Sequence, residues 1–428
     1  MNKNLNKALT ASHLGALPLR NRIIKAATYE GKTPAGIPGD ALLNFHREIC
    51  EGGVAMTTLG YCATEPDGRI NEDMLYLGDY ARDWLQATVT TLKKTGAKVS
   101  GQMTHCGHFS KNKKLQRLER PMGPSRHFNS LGATVGIFRT DSMMEKDIDY
   151  LVDTYYNAAL YMKAVGFDAA EIHFSHGYGL SQFISPKTNR RNDRYGGSLD
   201  NRMRLPLRAL DAVRKAVGED FPILGKIGLT DGVKGGLDEN EAVAVAQLLD
   251  DAGIDALITS GGTSSYNVMH MFRGESIADG IADMQSSLLS KWMIKALGPL
   301  MFKHYPYREL YFLEGCKRVR DAIKRAQMVY IGGCHSAASI EKVMADGIDF
   351  VQLGRPLIRD PNFVNSLIAQ AENYRNGCTA CNRCVTTIEA PGGILCHLRE
   401  AETAANLVDR KVLSSVEAQN AVNARPKL

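Results

Sequence analysis

Short apolar runs alternate with amphipathic stretches along most of this chain. The runs predict strands at 23–28, 54–60, 98–104, 169–174, 222–227, 256–260, 328–332 and 350–354. Between them, apolar residues three and four apart predict helices at 150–164, 205–217, 239–252 and 337–345. A parallel neighbour needs a long, usually helical crossover, so strands alternating with helices imply a parallel sheet. Eight such units favour an α/β fold of the (β/α)8 TIM-barrel type over an open doubly wound sheet with fewer strands.

In such barrels the chemistry gathers at the carboxyl ends of the strands. Polar residues of this chain fall there: Gln102 and His105 at the third run, His173, His176 and Tyr178 at the fourth, and Lys226 at the fifth. Gly332 and Gly333 close the seventh run, and Gly354 and Arg355 the eighth. Two longer interruptions, 108–147 and 261–306, follow the third and sixth runs and read as irregular segments over that same face. The alternation stops near residue 375. This predicts a barrel over 1–375 and a short cysteine-containing extension over 376–428, whose tail, 407–428, reads as a helix with a frayed end.

Composition narrows the function classes. With 44% hydrophobic and 23% charged residues the chain has ordinary globular proportions. The net charge of +6 is spread out, with no basic run interleaved with aromatics, which points to an anionic small ligand and away from nucleic acid. No window reaches the roughly 18 apolar residues of a membrane helix, and the N-terminus has no apolar segment of signal-peptide length. A cytoplasmic protein without a membrane partner is expected; homo-oligomerisation is left open. Nine cysteines, unevenly spread, suit reduced thiols or a metal site better than a disulfide framework.

The two glycine turns, Gly332-Gly333 and Gly354-Arg355, suit a phosphate, because backbone N–H groups converge at the last two units of such barrels and Arg355 would add a bidentate partner. His173 and His176, three apart beyond a strand, suit a pair of donors to one oxygen that gains negative charge. Tyr178 suits the proton donor, since a phenol with an ordinary pKa near 10 stays protonated at neutral pH. A His-x-x-His pair also suits zinc, yet no third ligand stands at the right spacing. The charges and YGGS of 189–202 read as a salt-linked loop that caps the next helix, scaffold more than chemistry. Cys378, Cys381, Cys384 and Cys396 form C-x2-C-x2-C-x11-C, a set able to hold an iron–sulfur cluster or zinc, or to remain reduced thiols.

From about residue 10 to 375 the sequence resembles the old yellow enzyme family of FMN-dependent oxidoreductases, in its NADH:flavin oxidoreductase and 2,4-dienoyl-CoA reductase branch. The carriers are NRIIKAA (21–27), GQMTHCG (101–107), HFSHGY (173–178), QF and SP within 182–186, NRRNDRYGGS (189–198) with Asn201 and Arg202, and LGRP (353–356). The resemblance implies FMN at the barrel mouth, along the backbone of Ala26, Ala27 and Thr28 with Gly60 nearby. It implies that Gln102 offers its amide donor and acceptor to the flavin pyrimidine. Lys226 stands where relatives have an arginine against flavin N1 and O2; it keeps the charge and loses the planar fork. His108 likewise stands where relatives often have arginine.

The same resemblance implies NADH or NADPH as hydride donor, sharing the pocket in turn, since no GxGxxG follows a strand. The implied acceptor is a small unsaturated carbonyl compound in a ping-pong cycle. Two other readings stay open: an amine dehydrogenase or demethylase on a related barrel, and a flavin-binding barrel with little turnover. Dienoyl-CoA-reductase-like relatives carry a [4Fe-4S] cluster on a similar cysteine set, with three residues in its second gap, and continue into further nucleotide-binding domains. No such domain follows in this sequence, so reduced thiols are expected ahead of a cluster, and zinc third.

Overall fold

Eight parallel strands close into a barrel in the computed structural model, which describes residues 3–284 and 287–402. They are β1 (Ile23–Lys25), β2 (Met56–Ala63), β3 (Lys98–Thr104), β4 (Ala169–Phe174), β5 (Ile223–Gly228), β6 (Ala256–Ser260), β7 (Gln327–Tyr330) and β8 (Phe350–Leu353). Each pairs with its neighbours in chain order, and β8 pairs with β1 to close the ring. Outside it lie α1 (Asp40–Glu51), α2 (Arg82–Lys93), α3 (Glu145–Ala164), α4 (Leu199–Val217), α5 (Glu239–Asp251), α6 (Leu313–Ala322), α7 (Ala337–Ala345) and α8 (Phe363–Gln370). The fold is therefore the (β/α)8 barrel that the alternation predicts.

Strand parity sets the interior. Successive side chains face opposite sides of a strand, so every second residue points at the barrel axis. At the amino-terminal end these are Ile24, Met56, Ala169, Leu224, Ala256, Val329 and Phe350, which form one buried cluster with Leu14 and Leu19. The last two come from a hairpin, Ser12–Leu14 with Leu17–Leu19, that plugs the floor. Two residues further along, the same strands present Glu171, Lys226 and Gln352, and four further along the sixth presents Ser260.

The structure adds elements that the hydrophobic pattern did not show. Residues 261–306, expected to be irregular, carry two helices, Ile277–Asp283 and Leu288–Met301. The second exposes an apolar stripe, with Leu288 81% and Trp292 68% accessible, which is why its pattern did not read as a buried helix. The 108–147 segment contains short 3-10 turns and a two-residue parallel pairing of Met122–Gly123 with Asp141–Ser142. Helix α4 begins at Leu199, earlier than expected, because the Ser198 side chain accepts from the Asn201 amide and caps it.

Residues 376–402 fold back toward the first barrel loop. The Ile394 amide donates to the Glu30 carbonyl at 2.7 Å, and Lys32 Nζ donates to the Gly392 carbonyl at 2.6 Å. Gly31 has φ +61°, and a Cβ there would stand 1.9 Å from the Ile388 carbonyl oxygen, so the two segments approach closely because this residue is glycine. The tail at 407–428 lies outside the described residues.

Candidate active site

The site starts from one buried carboxylate. Glu171 on β4 is fully buried, and a carboxylate removed from water is costly unless it is paired and hydrogen-bonded. Three donors meet it: Gln102 Nε2 at 2.5 Å and Lys226 Nζ at 2.8 Å on Oε1, and Gln352 Nε2 at 2.9 Å on Oε2. These come from β3, β5 and β8, so the network spans the barrel just above the apolar floor. A carboxylate can only accept, so the Gln102 amide nitrogen must face Glu171. One N–H of the amide and its carbonyl oxygen remain for a ligand, so Gln102 can still offer a donor and an acceptor. Lys226 keeps two of its three N–H donors beyond Glu171.

Past His173 the chain turns back sharply. His176 has φ +62° and Gly177 φ +78°, and a bulky residue in the left-handed region is held there by its surroundings. The Ser264 amide fixes the turn by donating to the His176 carbonyl at 2.9 Å. The turn brings His176 Nδ1 to 3.3 Å from His173 Nε2, and His176 Nε2 to 2.7 Å from Ser260 Oγ. The Ser175 amide, which can only donate, meets His173 Nδ1 at 3.3 Å. The His173 proton therefore sits on Nε2 and is given to His176 Nδ1; the His176 proton is given to Ser260. The structure thus links the two rings in a relay, His173 to His176 to Ser260.

Burial sets the protonation states. It lowers His173 well below the usual imidazole value, helped by His176 and Lys226, and lowers His176 to about 3, helped by Lys226 and His270. Both rings are neutral at physiological pH. The Tyr178 ring lies 4.5 Å from that of His173 and edge-on to Tyr61 and Phe109, each at 4.9 Å. Burial pushes the Tyr178 phenol above its ordinary value, so it keeps its proton. His105, also at a strand end, is instead engaged sideways with Glu65 at 3.2 Å.

The residues expected to hold a flavin converge on the same mouth. The Ala26 amide continues the β1–β8 pairing through the Leu353 carbonyl at 2.8 Å, and Thr28 Oγ1 bonds Glu30 Oε1 at 3.1 Å. Ala27 abuts Gly60 so closely that a Cβ on Gly60 would lie 2.4 Å from its own Cβ. Gly332 and Gly333 have φ +133° and +77°, and a Cβ on either would meet Phe312 at 2.8 Å or the Arg308 carbonyl at 3.0 Å; Gly354 has a Cβ direction 3.7 Å from Thr28.

Two arginines flank this glycine turn. Arg273, from the loop after β6, lies over the rings of Tyr311 (4.8 Å) and Phe312 (5.5 Å), and its Nε is buried without a partner. Arg355 Nη1 donates to the Arg273 carbonyl at 2.9 Å and to Asn382 Oδ1 at 2.5 Å. Sequence reasoning expected Arg355 to join the glycine turns at a phosphate; in this structure its Nη1 also bonds the extension, and Arg273 stands beside it. The unpartnered buried Gln352 Oε1, the free Lys226 donors and this cationic glycine corner match the polar pyrimidine and anionic phosphate ends of FMN. The residues present fit that cofactor.

The four extension cysteines line one small cavity together with Arg355, Asn382 and His397. None of the nine cysteines is in a disulfide. Burial raises Cys378 and Cys384, the latter to about 12, against the opposing pull of Arg355. Among the described residues no group of three or more His, Cys, Asp or Glu side chains is arranged to hold a metal ion.

Glu171, Gln352, Ser260 and Arg273 were missed by sequence reasoning. The first carried a usable signal, since it stands two residues before His173 and so on the same face of β4. The others needed the closed barrel.

The fold and mouth define a barrel oxidoreductase with a cofactor of the FMN type. A family model for the NADH:flavin oxidoreductase / NADH oxidase family matches residues 12–273, and the chain belongs to that family. It is 37% identical over 393 residues to a 4,4'-dithiodibutanoate disulfide reductase of Rhodococcus erythropolis, covering 91% of this chain and 94% of that protein. It is 28% identical to an NADH oxidase of Thermoanaerobacter brockii over 86% of this chain, and spans about half (52%) of that longer protein. A solved structure of 2-naphthoyl-CoA reductase superposes with a TM-score of 0.77 at 22% identity, over 92% of this chain and 57% of that one, a likeness of fold. No described helix is long and apolar enough to cross a membrane.

Proposed function

We propose that this chain takes hydride from NADH or NADPH and delivers it to an electron-poor alkene, an α,β-unsaturated carbonyl compound. The observation that carries the reading is the neutral His173–His176–Ser260 relay beside a protonated Tyr178 at the barrel mouth. FMN, when bound, supplies the hydride acceptor and donor. The chain would hold it through Gln102, Lys226, the backbone of Ala26 to Thr28, Gly60, and the corner of Gly332, Gly333, Gly354, Arg355 and Arg273. Lys226 would place a positive charge beside the bound cofactor's pyrimidine edge. His173 Nε2–H is the imidazole donor that can be shared with a substrate oxygen, and His176 positions it through the 3.3 Å contact. Tyr178 holds the proton that the carbon acceptor requires.

A second reading is favoured by the relative that matches this chain nearly end to end, a disulfide reductase. The same groups suit it: two electrons and one proton from the hydride, with one proton from Tyr178, convert one S–S bond into two thiols.

Anaerobic titration tests both. NADPH is expected to bleach the bound flavin, and 2-cyclohexenone or 4,4'-dithiodibutanoate to restore it. Tyr178→Phe is expected to slow the restoration by cyclohexenone by about 10²–10⁴-fold while bleaching by NADPH is kept. Bleaching by an amine without nicotinamide, with no restoration by an enone or a disulfide, would sink both readings.

A further inference from the structure

A small crevice opens beside the catalytic turn, lined by Gly177, His108, Lys187, Asp231, Ser265 and Tyr266 among others. Gly177 separates His176 from Tyr178, so the cavity is one residue from the proposed chemistry. Resting on the reductase reading, we propose that it is a subsite for a carboxylate carried on the substrate's tail, with Lys187 as its cation.

The lining favours an anion. Lys187 is half-buried and has no salt-bridge partner among the described residues. It lines this space with no carboxylate paired to it among the described residues. The one carboxylate present, Asp231, is turned into the protein: its Oδ2 accepts from Ser185 Oγ at 2.5 Å and from the Leu237 amide at 2.8 Å. Burial also raises Asp231 above the usual carboxylate range, which weakens its charge further.

Two neutral groups complete the set. Ser265 Oγ is buried without a partner, and so is Nδ1 of His108. A buried polar atom left unpaired costs free energy that a ligand can recover. Burial lowers His108 to about 3, so its ring is a neutral partner and adds no charge. Exposed Arg190, which acts electrostatically on Tyr266, adds positive potential at the rim. Lys187 and Ser265 come from the loops after β4 and β6, the same two loops that the His176–Ser264 bond joins. A substrate with an anionic tail would therefore bind across the seam that positions His176.

The test uses the full-length, FMN-loaded chain and calorimetric titration with 4,4'-dithiodibutanoate and with its dimethyl ester. The free acid is expected to bind at least about tenfold more tightly than the ester. Lys187→Gln is expected to abolish that preference, and Lys187→Arg to keep it, which shows that the site remains folded. Equal affinity for acid and ester, no binding of either, or a preference that survives Lys187→Gln would overturn the proposal. Restoration of the NADPH-reduced protein by neutral 2-cyclohexenone is read in parallel. If cyclohexenone works and the acid preference is missing, the subsite alone falls. If the preference holds and neither alkene nor disulfide restores the flavin, the reductase reading alone falls.

Discussion

The two ends of the barrel are built by the same strands and differ completely in chemistry. At the floor, Ile24, Met56, Ala169, Leu224 and Phe350 close a dry cluster under a hairpin plug. Two residues further along, Glu171, Lys226 and Gln352 replace them with a buried polar network. The floor is stabilised by non-directional burial, which tolerates exchange of similar side chains. The mouth network depends on Glu171 receiving its three donors, and is vulnerable to loss of any one. Parity along a strand is thus enough to move from scaffold to site.

The largest effect should come from breaking the network at its centre. Glu171→Ala leaves Lys226 buried without its carboxylate, and is expected to cost about 3–5 kcal/mol in chemical denaturation and to abolish FMN retention. A stable Glu171→Ala protein that still binds FMN would show that the mouth does not need this acceptor. At the floor, Leu224→Ala should cost about 2–5 kcal/mol, yet leave flavin affinity of the folded protein unchanged. Equal damage to flavin binding by both changes would erase the contrast between the ends.

Acid should separate the ends more gently. Burial lowers His108, His176 and His335 to about 3 and His270 to about 4, and all lie in mouth loops. Each is neutral when folded and binds a proton when unfolded below about pH 6.5, so stability is complete above that value and falls as pH drops toward about 3. The slope is up to about 1.4 kcal/mol per pH unit for each such histidine. Hydrogen exchange between pH 7 and pH 5 should show the mouth loops opening before the floor strands; simultaneous opening would argue against it.

Much of this plan is legible in the sequence because it rests on local periodicity. The eight strands follow from period two and short apolar runs, and His173 to Tyr178 stand out because polar chemistry directly follows such a run. Ser260 and Gln352 were not legible as site residues, since each matters through partners far away in the chain, 84 and 181 residues off. Gln102 was found, but the bond from one of its two amide donors to Glu171, 69 residues away, was not. Of the helices within 261–306, the second escaped notice because its apolar residues are exposed and lack the one-sided pattern that burial imposes, and the first because it is only seven residues long.

The seam between the first loop and the residues near 394 has a consequence for biosynthesis. β1 emerges from the ribosome early, yet its edge partner β8 and the segment that bonds Glu30 are translated some 330 to 370 residues later. Until then the nascent chain must carry an open sheet edge and an incomplete cofactor cradle. Flavin loading is therefore a late event in the life of this chain, and growth in riboflavin-limited cells should leave colourless full-length protein instead of flavin-bearing fragments.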